Sequence, residues 1–167
     1  MIVNLVGPPG SGKSTFASRF VLEHPYFTYC DIAGYRAESA SETGAWLRLE
    51  EDVKKHKDVV LETCGLNHQL KSLFRRNKDR YIYTIQMSGK LEDLRTRVKE
   101  RQEKRKPPFE YKFSDELDSI EWVLEHLEET PITPDLFIET IAGHAGNTYN
   151  FITSAILKNR LMVGYSR

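Results

Sequence analysis

Gly7-Pro8-Pro9-Gly10-Ser11-Gly12-Lys13-Ser14 carries the residue types and spacing most directly tied to chemistry in this chain. It has glycine, four residues, glycine, lysine and serine, the pattern of a loop that cradles phosphates. Backbone N–H groups in such a loop point inward, at phosphate oxygens. Lys13 would reach the β- and γ-phosphates, and the Ser14 hydroxyl would face Mg²⁺. Residues Gly7, Pro8, Pro9, Gly10, Ser11, Gly12, Lys13, Ser14 and Thr15 are therefore the candidate nucleotide contacts, with Ser14 the candidate metal ligand.

The elements around this loop fit that use. Residues 1–6 read as a buried strand. Lys13 to His24 reads as a helix whose N-terminus faces the phosphates, stopped by Pro25. Further strands are expected at Phe27–Cys30, Val59–Glu62, Tyr81–Met87 and Leu136–Glu139. The helical segments between them are Glu38–His56 (split or bent at Gly44), Gln69–Lys78 capped by Asn67, and Leu91–Arg105 capped by Ser88. Ser114 is expected to cap a helix through Glu129, and Asn147 the last helix, through about Arg160. Alternation of strand and helix predicts an α/β fold, a five-stranded parallel sheet with helices on both faces. Ligands of such sheets sit beyond the carboxyl ends of the strands.

The 167 residues are enough for one domain with one sizeable core. The formal net charge is zero, so no global field draws the chain to nucleic acid or an anionic membrane. No apolar run approaches the roughly 20 residues of a membrane span. Cys30 and Cys64 are the only cysteines, too few for a disulfide framework; two unpaired thiols and a cytoplasmic location are expected. Charge is segregated along the chain. Lys71 to Lys112 holds fourteen Lys/Arg against six Asp/Glu, and Ser114 to Thr140 holds none against nine. A basic flap over a polyphosphate, spanning about 88–113, is one reading; two oppositely charged solvated faces is the other.

Three further groups favour phosphoryl transfer over a nucleotide switch. Asp31 ends the second strand, with Tyr35-Arg36 close behind, where a carboxylate could take the proton of an acceptor hydroxyl. Glu62-Thr63-Cys64-Gly65-Leu66-Asn67 follows the third strand, and Glu62 could anchor Arg36. Arg97 and Arg101, four apart in Leu94-x-x-Arg97-x-x-x-Arg101, share a helix face suited to gripping phosphoryl oxygens. The guanine-reading pattern Asn-Lys-x-Asp is absent: Asn77-Lys78-Asp79-Arg80 has the wrong spacing and precedes the fourth strand.

Together these motifs resemble the phosphate-loop kinase superfamily with its nucleoside-kinase-like fold, and within it the kinase domain of phage polynucleotide kinases, over roughly residues 1–105. The resemblance implies that Lys13 and Ser14 bind ATP and Mg²⁺. It further implies that Asp31 is the general base, Arg36 holds an acceptor phosphate, braced by Glu62, and Arg101 contacts the donor phosphates from a helical lid. Arg97 would assist there, and Asn67 would face the acceptor. Two departures concern the acceptor: the spacing from Asp31 to Arg36 is longer than in the polynucleotide kinases, and Glu62 replaces an aspartate beside an extra Gly65.

The expected acceptor is nucleotide-containing. Lys104-Arg105-Lys106-Pro107-Pro108-Phe109-Glu110-Tyr111-Lys112-Phe113 interleaves cations with aromatics that could stack on bases. DNA could then supply a terminal 5′-hydroxyl or a hydroxymethyl group on a modified base such as 5-hydroxymethyluracil. A small-metabolite kinase of the shikimate, gluconate or nucleoside monophosphate type, and an ATP-binding switch without acceptor chemistry, stand beside this reading. Ile141 to Asn147 follows the fifth strand, where the superfamily commonly lines the adenine.

Overall fold

The computed structural model describes residues 1–104, 116–127, 132–141 and 143–165. In chain order the elements are β1 (Ile2–Val6), α1 (Lys13–Glu23), β2 (Phe27–Asp31), α2 (Ile32–Ala37), α3 (Glu42–Lys55) and β3 (Asp58–Glu62). Then come α4 (His68–Arg76), β4 (Ile82–Ser88), α5 (Leu91–Lys104), α6 (Glu116–Leu127), β5 (Leu136–Glu139) and α7 (Ala145–Tyr165). The five strands form one sheet in the order β2-β3-β1-β4-β5, every neighbouring pair parallel.

β1 and β3 are buried along their whole length because helices cover both faces. Alternation along β1 divides the core. Val3 and Leu5 join Phe16, Ala17 and Phe20 of α1 and Tyr149, Ile152 and Ile156 of α7. Ile2 and Val6 join Trp46, Leu49 and Val53 of α3 and Leu70 and Leu73 of α4. Leu94 and Val98 of α5 pack on Ile120 of α6 in a smaller cluster. The parallel strands put five carboxyl ends at one edge, and register aligns Asp31 with Glu62 and Leu5 with Glu62 across neighbouring strands.

Several expected boundaries shift. The break between the second and third strands falls at 38–41, not at Gly44, which lies in the first turn of α3 and donates its N–H to the Ser41 cap. The chain before the break forms α2, a six-residue helix the apolar pattern is too short to announce. Ser88 ends β4 instead of capping α5. Asn147 lies inside α7, which starts two residues earlier. Asn67 occupies the N-cap position of α4, but its side chain makes no capping bond; its Oδ1 accepts from the Cys64 thiol at 3.1 Å. Ser114, the aromatic residues of the 104–113 stretch and Glu129 lie outside the described residues.

Candidate active site

The loop between β1 and α1 takes the conformation its glycines allow. Gly7, Gly10 and Gly12 all have positive φ. A Cβ on Gly7 would lie 1.9 Å from the Met87 carbonyl oxygen, and one on Gly10 would lie 2.7 Å from that of Leu94. Neither position tolerates a side chain, so the loop is pressed against the end of β4 and the root of α5. Lys13 is buried, and its ammonium donates to the carbonyls of Gly7 and Pro8, both at 2.9 Å. Burial pulls its pKa below the ordinary lysine range; the nearby Glu62 carboxylate opposes that shift.

Glu62, at the end of β3, is 8% exposed and accepts two side-chain hydrogen bonds. The Ser14 hydroxyl donates to its Oε1 at 2.8 Å, and the Tyr29 hydroxyl donates to its Oε2. The expected Glu62–Arg36 brace is not formed. Arg36 instead grips Glu42 in a fork, Nε to Oε2 at 2.7 Å and Nη2 to Oε1 at 2.5 Å, and Trp46 Nε1 also donates to Glu42 at 2.8 Å. Glu42 wins because it is six residues away on the adjoining helix, whereas both oxygens of Glu62 are engaged from the other side.

Asp31 is the last residue of β2 and the cap of α2. Its carboxylate accepts from the N–H of Ala33 at 3.0 Å and of Gly34 at 3.3 Å. Burial, then the Glu62 charge, push its pKa up to about 6; the two cap bonds hold it back. Thus Asp31 fixes a helix end and also points a half-buried carboxyl into the site.

On the opposite wall, Arg97 ties three segments together. Its Nη1 donates to the Gly10 carbonyl at 3.2 Å and to Thr140 Oγ1 at 2.9 Å, and its Nη2 to the Thr140 carbonyl at 3.3 Å. Phosphate loop, α5 and the segment after β5 are joined by that one side chain. Arg101, one turn on, is paired with Glu116 of α6.

A cavity of about 840 Å³ gathers nearly all of these groups. Gly7, Pro9, Gly10, Gly12, Lys13, Ser14, Thr15, Asp31, Arg36, Glu62, Arg97 and Arg101 line it, so residues far apart in sequence share one site. Pro8 and Ser11 are covered loop residues behind it, and Asn67 does not line it. Sequence reasoning missed Glu42, Tyr29 and Glu116. The one signal was the local spacing of Glu42 from Arg36 and Trp46. The donor set suits a hard cation such as Mg²⁺, with the Ser14 hydroxyl and Glu62 carboxylate adjacent and no sulfur or imidazole between them. A second cavity, of about 830 Å³, lies at the other end of the sheet around Lys57, Arg80 and Arg160.

Cys30 and Cys64 are free thiols. Among the described residues, no helix is long and apolar enough to cross a membrane.

No family model matches the chain, and no curated protein matches it in sequence. Solved structures do match its fold. Shikimate kinase from Acinetobacter baumannii, in complex with shikimate, is 18% identical with a TM-score of 0.65, over 96% of this chain and 94% of that one. Kti12 from Chaetomium thermophilum, in complex with ADP-AlF3, is 19% identical with a TM-score of 0.67, over 95% and 98%. A chain of the Pnkp1/Rnl/Hen1 RNA repair complex is 21% identical with a TM-score of 0.61, over 77% of this chain and 45% of that one. The five-stranded parallel sheet with its helices matches the phosphate-loop kinase fold of these neighbours.

Proposed function

We propose that this protein is an ATP- and Mg²⁺-dependent kinase that transfers the γ-phosphoryl group to a hydroxyl of a nucleotide-containing acceptor. One observation carries the reading. Lys13, Ser14 and Glu62, suited to a magnesium-bound triphosphate, share a cavity with Asp31 and Arg36, suited to an acceptor. Asp31, at the mouth of that cavity, supports acceptor chemistry over a nucleotide switch, because a carboxyl there could take an acceptor hydroxyl's proton. The whole chain would form a single kinase domain, with α5 and the basic segment after it as the lid.

The geometry supports the following roles. The loop N–H groups and Lys13 bind and orient the β- and γ-phosphates. Ser14 would hold Mg²⁺, with Glu62 behind it; the cation when bound neutralises charge on the phosphates. Asp31 accepts the acceptor hydroxyl's proton. Arg36, held by Glu42, faces the acceptor, and Arg101 reaches the transferred group after leaving Glu116.

DNA, through a 5′-hydroxyl end or a hydroxymethyl-modified base, is the acceptor we favour. The alternation of cations and aromatics at 104–113 supports a nucleic-acid acceptor, and the likeness to a chain of an RNA repair complex supports nucleic acid without favouring DNA. A small-metabolite acceptor is the second reading, favoured by the nearly full-length match to a shikimate kinase in complex with shikimate. Labelled ATP offered with 5′-hydroxyl oligonucleotides, hydroxymethyl-base DNA and a metabolite panel separates the two. Label in DNA alone supports the first reading; label in a metabolite alone replaces it with the second. No label in any acceptor overturns the kinase assignment.

A further inference from the structure

We infer that Tyr29 is a positioning residue for the magnesium side of the site, acting through Glu62; this rests on the Mg²⁺-ATP reading above. Tyr29 lies on β2, beside β3. Its ring packs against the core cluster built on α1 and α7, while its hydroxyl reaches out of that cluster to Glu62 Oε2. Glu62 is thereby held at both oxygens, by Tyr29 on one and by Ser14 on the other.

The arrangement has a physical purpose. A glutamate has one more rotatable bond than an aspartate, so its carboxylate plane is fixed only if something pins it. Two donors on two different oxygens pin it. The Ser14 proton is then committed to Oε1, which leaves the lone pairs of the hydroxyl for a cation. Without the Tyr29 hydroxyl, Glu62 is free to rotate and Ser14 loses its fixed partner. Groups that orient a metal's ligands typically cost 10- to 100-fold in metal affinity when removed.

The test measures ATP affinity by calorimetry with excess Mg²⁺ and again in EDTA, because the ratio isolates the contribution of the metal. Tyr29→Phe keeps the ring and its packing. It is expected to shrink the Mg²⁺-dependent gain by about 10- to 100-fold and leave the EDTA affinity unchanged. In a Glu62→Gln background it should add nothing, since the residue it acts through is already lost. An undiminished gain overturns the inference. So does an equal fall in both conditions, which is what general loosening of the fold would give. If Tyr29→Phe does not fold, Glu62→Asp probes the same contact from the other side: it should shrink the gain, and an unchanged gain overturns the inference. A wild-type protein that binds ATP equally well with and without Mg²⁺ would instead remove the Mg²⁺-ATP reading itself, and this inference with it.

Discussion

Arg101 of α5 and Glu116 of α6 form an ion pair on the wall of the cavity, with the two side chains unequally covered: 43% of the arginine is exposed but only 6% of the glutamate. The carboxylate therefore belongs to the wall, and the guanidinium is the member able to move. A phosphate arriving on Lys13 would compete with Glu116 for that guanidinium. Because the pair is half solvated, it is worth at most about 1 kcal/mol.

Removing the competitor should help the nucleotide. Glu116→Gln is predicted to tighten ATP binding by up to about fivefold, the ratio that energy allows. Arg101→Lys should instead lower turnover, because a point charge does not replace a fork. Steady-state kinetics on both variants check this; wild-type turnover in Arg101→Lys would mean that Arg101 does not touch the reacting phosphate.

Asp31 sets the expected pH dependence. With its pKa near 6 it is mostly ionised at neutral pH and able to accept a proton. Turnover should fall about tenfold per unit below pH 6. Stability should run the other way. Between the ordinary 3.8 and about 6, the folded chain holds a proton that the unfolded chain releases, so this group's contribution to stability falls as pH rises through that window. Asp31→Asn keeps a side chain that can cap α2, so it should fold at pH 7 and bind ATP but form no phosphorylated product. Unchanged turnover would take Asp31 out of the mechanism.

Glu42 should matter to the acceptor and not to the nucleotide. Glu42→Gln removes the carboxylate charge from the Arg36–Glu42 pair, a partly exposed pair worth about 0.2–1 kcal/mol. The KM for the labelled acceptor should rise by up to about fivefold while the KM for ATP stays constant. A change in the ATP value alone would put Arg36 on the donor side.

Arg97 is predicted to act on the fold more than on the phosphates. Each hydrogen bond from a charged group contributes about 1.5–3 kcal/mol, and Arg97→Ala removes those to Gly10 and Thr140 together. In a domain of this size, about 2–4 °C of melting temperature is lost per kcal/mol. A clear drop in Tm accompanied by weaker ATP binding is expected. An unchanged Tm would show that Arg97 does not hold the loop against α5.

The residues explain what could be read from sequence and what could not. The strands were legible because a parallel sheet buried on both faces needs continuous apolar runs such as Val59-Val60-Leu61. The phosphate loop was legible because Gly7 and Gly12 are forced by geometry. By contrast, α2 is six residues long, too short for periodicity, and its cap Asp31 reads equally as a catalytic acid. Tyr29 and Glu62 are 33 residues apart, and only the adjacency of β2 and β3 joins them. Sequence alone favours a Glu62–Arg36 pair because opposite charges at neighbouring strand ends attract. Glu42, nearer in sequence and fixed by Trp46, satisfied Arg36 first.

The central claim is that the loop at the end of β1 captures a magnesium-bound triphosphate through Lys13. Calorimetric titration of ATP with Mg²⁺ into the wild-type protein and into Lys13→Ala tests it most directly. Saturable one-to-one binding to the wild type, abolished in a folded Lys13→Ala variant, is the predicted result. Binding that survives unchanged in Lys13→Ala, or no binding to the folded wild type, would contradict it.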